Sequence, residues 1–186
     1  MQKPKNYFIN TYHHLYNRGA NRNVVFFGNS DYENFLRSLK RYKDKYMIQI
    51  NCYCLLPNHF HLFVKQLTEE FTIGKFIGDL TNAYTRTINI KYNSSGVLFE
   101  GKTKSKLIND ESYFLWLCKY ILNNPVKVLL VKKPEEWQYS SAKEYFGYKD
   151  SEYTYTLEML SRFSDLNSFK SFINQEENGF DYSNLF

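Results

Sequence analysis

The chain has 186 residues, enough for one domain with a real core. Its three cysteines are odd in number and lack framework spacing, which argues against a disulfide scaffold and suits a reducing compartment. The net charge of +5 is uneven: residues 1–150 carry 22 Lys/Arg against 13 Asp/Glu, and residues 151–186 carry 2 against 6, so a basic body precedes an acidic tail and suggests a polyanionic partner.

The N-terminal MQKPKNYFIN has no apolar stretch of a signal peptide, and no window approaches the ~20 apolar residues of a membrane span. A cytoplasmic protein with no membrane partner is expected. Aromatics reach 19%, supplying many planar groups for a core or for stacking on bases.

In chain order, TYHHLYNRG reads as a strand ending at Gly19. If Leu15 points to the core, His14, Tyr16 and Arg18 share the opposite face. Arg18 and Arg22 can then contact phosphate as bidentate donors, and His13 and His14 read as structural or DNA-contacting rather than metal-ligating. GNSDYENFLRSLKRYKDKY opens with a capping box, Ser30-x-x-Glu33, and carries Tyr32, Phe35, Leu36, Leu39 and Tyr46 on one helical face. MIQINCYCLL alternates as a strand, Pro57-Asn58 turns the chain, and HFHLFVK returns as the second strand of a hairpin.

Further on, Ile73, Phe76, Ile77, Leu80, Tyr84 and Ile88 mark a second helix. VLFEGKTKSKLI is a strand or arm, and DESYFLWLCKYILNN is a helix with Asp110 as N-cap and Pro125 as its end. The order β-α-β-β-α-β-α predicts an α+β fold. Its first six elements match the ferredoxin-like split βαβ arrangement, an antiparallel sheet with two helices on one face. Residues 1–150 form the body in this reading, and residues 151–186 a short, aromatic, helical appendage that could pack over the site and limit access.

Three groups can carry chemistry. His59 and His61, two apart on a strand, share one face ~6.6 Å apart and can converge on one cation. As a bare pair they suit an ordinary polar strand face at least as well. Tyr120 and Asn124 lie one turn apart on one helical face; the Asn carbonyl can be a ligand and the Tyr a nucleophile, or both can simply end a helix before Pro125. Lys102, Lys104 and Lys106 fall on one strand face, as a row for backbone phosphates or as a solvated edge.

Together these blocks resemble the single-tyrosine HUH transposases (IS200-like), and within them the REP-associated tyrosine transposases. His59-Phe60-His61 matches the His-hydrophobic-His motif. HHLYNRGANRNVVF, GVLFEGKTKSKLI, YILNNPVKV and EWQYSSAKEYFG match further blocks in order, across residues 12–147. The resemblance implies His59, His61 and Asn124 as ligands of Mg²⁺ or Mn²⁺ and Tyr120 as the nucleophile. Many other single-tyrosine members place Gln where Asn124 stands.

The implied activity is cleavage and rejoining of single-stranded DNA, folded as a hairpin, through a 5′-phosphotyrosine. The DNA contacts would be His14, Arg18, Arg22, Lys102, Lys104 and Lys106, in a monomer or a homodimer. The alternative is a non-catalytic single-stranded nucleic-acid binder on the same fold.

Overall fold

A computed structural model describes residues 7–175. The elements are β1 (Tyr12–Arg18), α1 (Asn29–Lys45), β2 (Ile48–Leu56), β3 (His59–Gln66), α2 (Ile73–Lys91), β4 (Lys104–Ile108), α3 (Glu111–Lys127), α4 (Ala142–Tyr145), α5 (Leu157–Leu160) and α6 (Leu166–Asn174). The strands form one sheet in the order β2-β3-β1-β4, with every neighbouring pair antiparallel. This is the expected split βαβ arrangement. Among the described residues no helix is long and apolar enough to cross a membrane.

Each face of the sheet has its own core. Leu15, Phe60, Leu62 and Val64 pack beneath α1 and α2, against Phe35, Leu39, Phe76, Leu80 and Tyr84. The other face carries Cys52, Cys54, Leu56 and Phe63, packed with Phe114, Leu117, Cys118 and Ile121 of α3. The simple alternation expected for β2 breaks between Ile50 and Cys52, where the register with β3 shifts. Ile48 and Ile50 therefore share the helix-side core with Tyr53 and Leu55, because one extra residue in a strand reverses the parity that follows it.

The outer edge of β2 is covered rather than left open. Leu55 N–H donates to Tyr139 O at 2.9 Å and Ser141 N–H to Tyr53 O at 3.0 Å. The Trp137 indole N–H reaches Leu55 O at 2.8 Å. The WxxSS block is thus an edge cover, which removes a pairing hazard.

Two helix boundaries differ from the sequence expectation. α1 begins one residue before Ser30, with Gly28 at the cap, and Asp31 rather than Glu33 closes the turn by accepting from Phe27 N–H and Gly28 N–H at 2.9 and 3.1 Å. α3 runs through Pro125 to Lys127. Proline removes one intrahelical donor, but Val128 N–H still reaches Asn124 O at 3.1 Å and closes the last turn. Asp110 caps α3 as expected, accepting from Tyr113 N–H at 2.8 Å.

The tail is joined to the body rather than appended to it. Met159, Phe169 and Ile173 are buried in the α3-side core, and Asn123 of α3 donates to Ile173 O at 2.9 Å. Glu158 pairs with Lys65 at 2.9 Å and accepts from Tyr12 and Gln49. Glu152 pairs with Lys40 at 3.2 Å. These tail acids are spent on body side chains. Residues 176–186 of the proposed appendage lie outside the described residues.

Candidate active site

The hairpin β2–β3 sets the two imidazoles. Phe60 is buried in the helix-side core, so strand alternation turns His59 and His61 to the other face. Opposite them in register stand Arg18 and Tyr16 of β1. The turn is locked from outside: Asn58 O accepts from Gly19 N–H at 2.7 Å, and Pro57 O accepts from Val25 and Phe26 N–H at 2.8 and 3.0 Å. A Cβ at position 19 would lie 1.9 Å from Asn23 O, so only glycine allows this approach.

The Asn of the NRG block is structural too. Asn17 donates to Gly101 O and Thr103 Oγ1 at 3.2 and 3.3 Å, tying β1 to the arm before β4.

Helix α3 covers β2 and the middle of the sheet and brings Tyr120 to His61. The two rings meet edge to face, 5.5 Å apart at 88°. Trp116, one turn earlier, stacks on Tyr120 at 5.1 Å and 21°, and Lys127 Nζ lies 4.7 Å from the centre of the Tyr120 ring. Tyr120 is buried, with only 6% of its surface exposed. The imidazole face is therefore half covered by α3 rather than open. Asn124 is also buried and lies one turn beyond Tyr120 on the same helical face.

His59 and His61 approach at right angles, 5.1 Å between centroids. Burial pushes His59 down to about 4, helped by the Arg18 charge. Burial also holds His61 well below the ordinary histidine range, with His14 and His59 adding to it. Both are neutral at pH 7 and can offer a lone pair. Asn58 determines which nitrogen does so in His59. Its Nδ2 donates to Arg22 O at 3.2 Å, so its Oδ1 faces His59 Nδ1 at 2.7 Å. The His59 hydrogen sits on Nδ1, and Nε2 carries the lone pair.

Beside the imidazoles opens a cavity of about 440 Å³, walled by Tyr16, Arg18, Arg22, His59, Glu100 and Lys104 among others. Arg18 is salt-bridged to Glu100. Lys104 Nζ lies 5.7 Å over the Tyr16 ring, and Lys106 Nζ 4.8 Å over Tyr113. Lys102 is exposed just before β4.

His14 departs from expectation. It is fully buried, pushed down to about 3 by burial and by Lys106, and its Nε2 lies 2.9 Å from His61 Nδ1. It has no surface to offer DNA. Sequence reading also missed Trp116 and Lys127; their spacing from Tyr120, four before and seven after, puts all three on one helical face and was the available signal.

Among the described residues no three His, Cys, Asp or Glu side chains are grouped to hold a metal ion, so a cation here needs a donor of another type beside the imidazole pair. Asn124 fits. Its buried Nδ2 has no hydrogen-bond partner among the described residues, and an amide can be turned to present oxygen instead. Two neutral imidazoles and one amide oxygen make a mixed nitrogen–oxygen set that could hold a divalent ion.

Comparisons with known proteins identify the family and the fold. A family profile described as "Transposase IS200 like" matches residues 7–124. A Haemophilus influenzae protein whose name provisionally places it among the REP-associated tyrosine transposases is 28% identical over 123 residues, covering 60% of this chain and 69% of its own. The solved structure of a REP-associated tyrosine transposase bound to a REP hairpin superposes with a TM-score of 0.67 at 16% identity. It covers 79% of this chain and 86% of that one, and supports the fold. With the matched segment spanning more than half its length, the chain belongs to the IS200-like transposase family.

Proposed function

We propose that the protein cleaves and rejoins single-stranded DNA, presented as a hairpin, by transesterification at Tyr120, as a member of the REP-associated branch. The observation that carries this reading is the packing of Tyr120 edge-on against His61, with Asn124 one turn away. The hairpin bound by the structural relative and Asn124 in place of the more usual Gln favour that branch.

The Tyr120 oxygen attacks phosphorus. The bond to the departing 3′ oxygen breaks as the tyrosyl ester forms, leaving a 5′-phosphotyrosine and a 3′-hydroxyl. One phosphoester replaces another, so a 3′-hydroxyl from a second strand can reverse the step on new DNA, and no nucleotide cofactor is consumed. His59, His61 and Asn124 would hold a divalent ion, Mn²⁺ or Mg²⁺, whose contribution when bound is to neutralise charge on the scissile phosphate. Trp116 and Lys127 hold the Tyr120 ring in place. Arg18, Arg22 and Lys104, at the cavity wall, would take flanking phosphates, with Lys102 and Lys106 extending the basic track.

The test is incubation with labelled single-stranded hairpins and Mn²⁺, scored for a covalent protein–DNA band on denaturing gels. An adduct from the parent and none from Tyr120→Phe supports the reading. An adduct from Tyr120→Phe overturns the assignment of the nucleophile. Chelator-indifferent binding without any adduct would instead make the chain a non-catalytic binder.

A further inference from the structure

We propose that His14 is a positioning residue for His61: it accepts the His61 Nδ1 hydrogen and so leaves His61 Nε2 as the ligating nitrogen. The inference rests on the metal-site reading above and adds to it a residue outside the His-Phe-His motif.

The two histidines of the motif are oriented differently. His59 is pinned by an amide whose own orientation is set by a backbone carbonyl. His61 turns its Nδ1 to a second imidazole. That nitrogen faces His14 Nε2 at 2.9 Å, with the rings nearly parallel at 22° and 5.1 Å between centroids. The contact follows from the register. His14 pairs with Phe63 and Tyr16 with His61, so His14 and His61 are diagonal neighbours on the α3 side of the sheet, close enough for long side chains to meet.

Two ring nitrogens at hydrogen-bond distance share one hydrogen. If it belongs to His14, a neutral His61 carries its own hydrogen on Nε2 and cannot bind a cation there. If it belongs to His61, Nε2 is a lone pair. In that state His14 must carry its hydrogen on Nδ1, which is buried and has no hydrogen-bond partner among the described residues. That leaves one buried N–H unpaired, a desolvation cost that a ligand bond at His61 Nε2 would have to offset. No partner at His14 Nδ1 among the described residues prevents His14 from accepting from His61. Ligating histidines commonly donate their second N–H to a fixed acceptor, and loss of that acceptor typically weakens metal binding by about 10- to 100-fold.

The test measures Mn²⁺ affinity of the full chain without DNA, from the free-ion paramagnetic resonance signal. His14→Phe keeps the ring volume but removes the acceptor, and should weaken Mn²⁺ binding by about 10- to 100-fold. His14→Gln restores an acceptor and should recover most of the loss. A purely structural role predicts lower thermal stability without metal but parent-like Mn²⁺ affinity in whatever folds, and that result overturns the proposal. Should His14→Phe not fold, nitrogen-15 spectra of the parent loaded with diamagnetic Zn²⁺ decide the question: a His61 hydrogen on Nδ1 supports the proposal, and one on Nε2 overturns it. His59→Ala is the control. If it and the parent bind Mn²⁺ equally, the metal-site reading fails and this inference with it; a crippled His59→Ala beside an unaffected His14→Phe overturns this inference alone.

Discussion

Tyr120 meets His61 edge to face at 5.5 Å while its own face stacks on Trp116 at 5.1 Å. These contacts are made by the ring. Tyr120→Phe keeps the ring and should keep this packing, with a loss of unfolding free energy no larger than about 1.5 kcal/mol, the net worth of one hydrogen bond. Hairpin affinity should be unchanged and covalent adduct absent. Urea unfolding and a binding titration on the same preparation check the first two. A larger loss of stability, or a loss of affinity, would mean that the hydroxyl is chiefly a structural group.

Lys127 puts an ammonium 4.7 Å from the centre of that ring. As the tyrosine oxygen attacks phosphate, negative charge gathers beside this cation. Lys127→Met keeps the aliphatic contact and removes the charge. If the ammonium interacts with the developing charge more strongly than with the neutral ring by an amount like a cation–π contact, about 0.5–2 kcal/mol, the adduct should form roughly 2- to 30-fold more slowly. Rapid-quench rates at saturating DNA measure this. An unchanged rate would confine Lys127 to packing.

The buried imidazoles make stability depend on pH in a defined direction. Burial lowers His59 to about 4 and His14 to about 3, whereas an unfolded histidine titrates near ~6.5. Between these limits the unfolded chain binds protons that the folded chain refuses, so stability falls as pH drops below about 6.5. The slope reaches about 1.4 kcal/mol per pH unit for each such histidine. It flattens above pH 7, where both states are neutral. Metal-free unfolding midpoints at pH 7, 6 and 5 read the slope before most carboxylates titrate. A flat profile over that range would show that the imidazoles reach solvent.

Local pattern revealed much of this in the sequence. The alternation of HFHLFV places Phe60 and Leu62 in the core and His59 and His61 opposite them, and helical spacing pairs Tyr120 with Asn124. What the pattern hid depends on contacts between distant segments. The shift in β2 register at Asn51 is invisible in an unbroken β-rich run. Pro125 reads as a stop, yet it sits where only one remaining turn must close. His14 looks like a surface residue because strand alternation gives its face but not what covers that face, here α3 and Lys106. The tail looked separable because its charge differs from the body, although its acids pair with Lys65 and Lys40 and its aromatics enter the core.

That last point reverses an expectation about truncation. An acidic cover that limits access to a basic site should, when removed, raise DNA affinity. The described tail instead buries Phe169 completely, against Tyr145, Phe146 and Phe163, and Asn123 ties α6 to the helix that carries Tyr120. Phe169→Ala should cost about 3–5 kcal/mol, the usual price of emptying a buried aromatic site. Deleting residues 151–186 should cost more, since it also removes Met159 and Ile173 from the α3-side core and leaves Lys65 without Glu158. The expected result is a shortened protein with a much lower urea midpoint and weaker hairpin binding, because the tyrosine helix loses its outer support. A truncated chain that unfolds at the parent's midpoint and binds DNA more tightly would restore the tail to the role of a detachable cover.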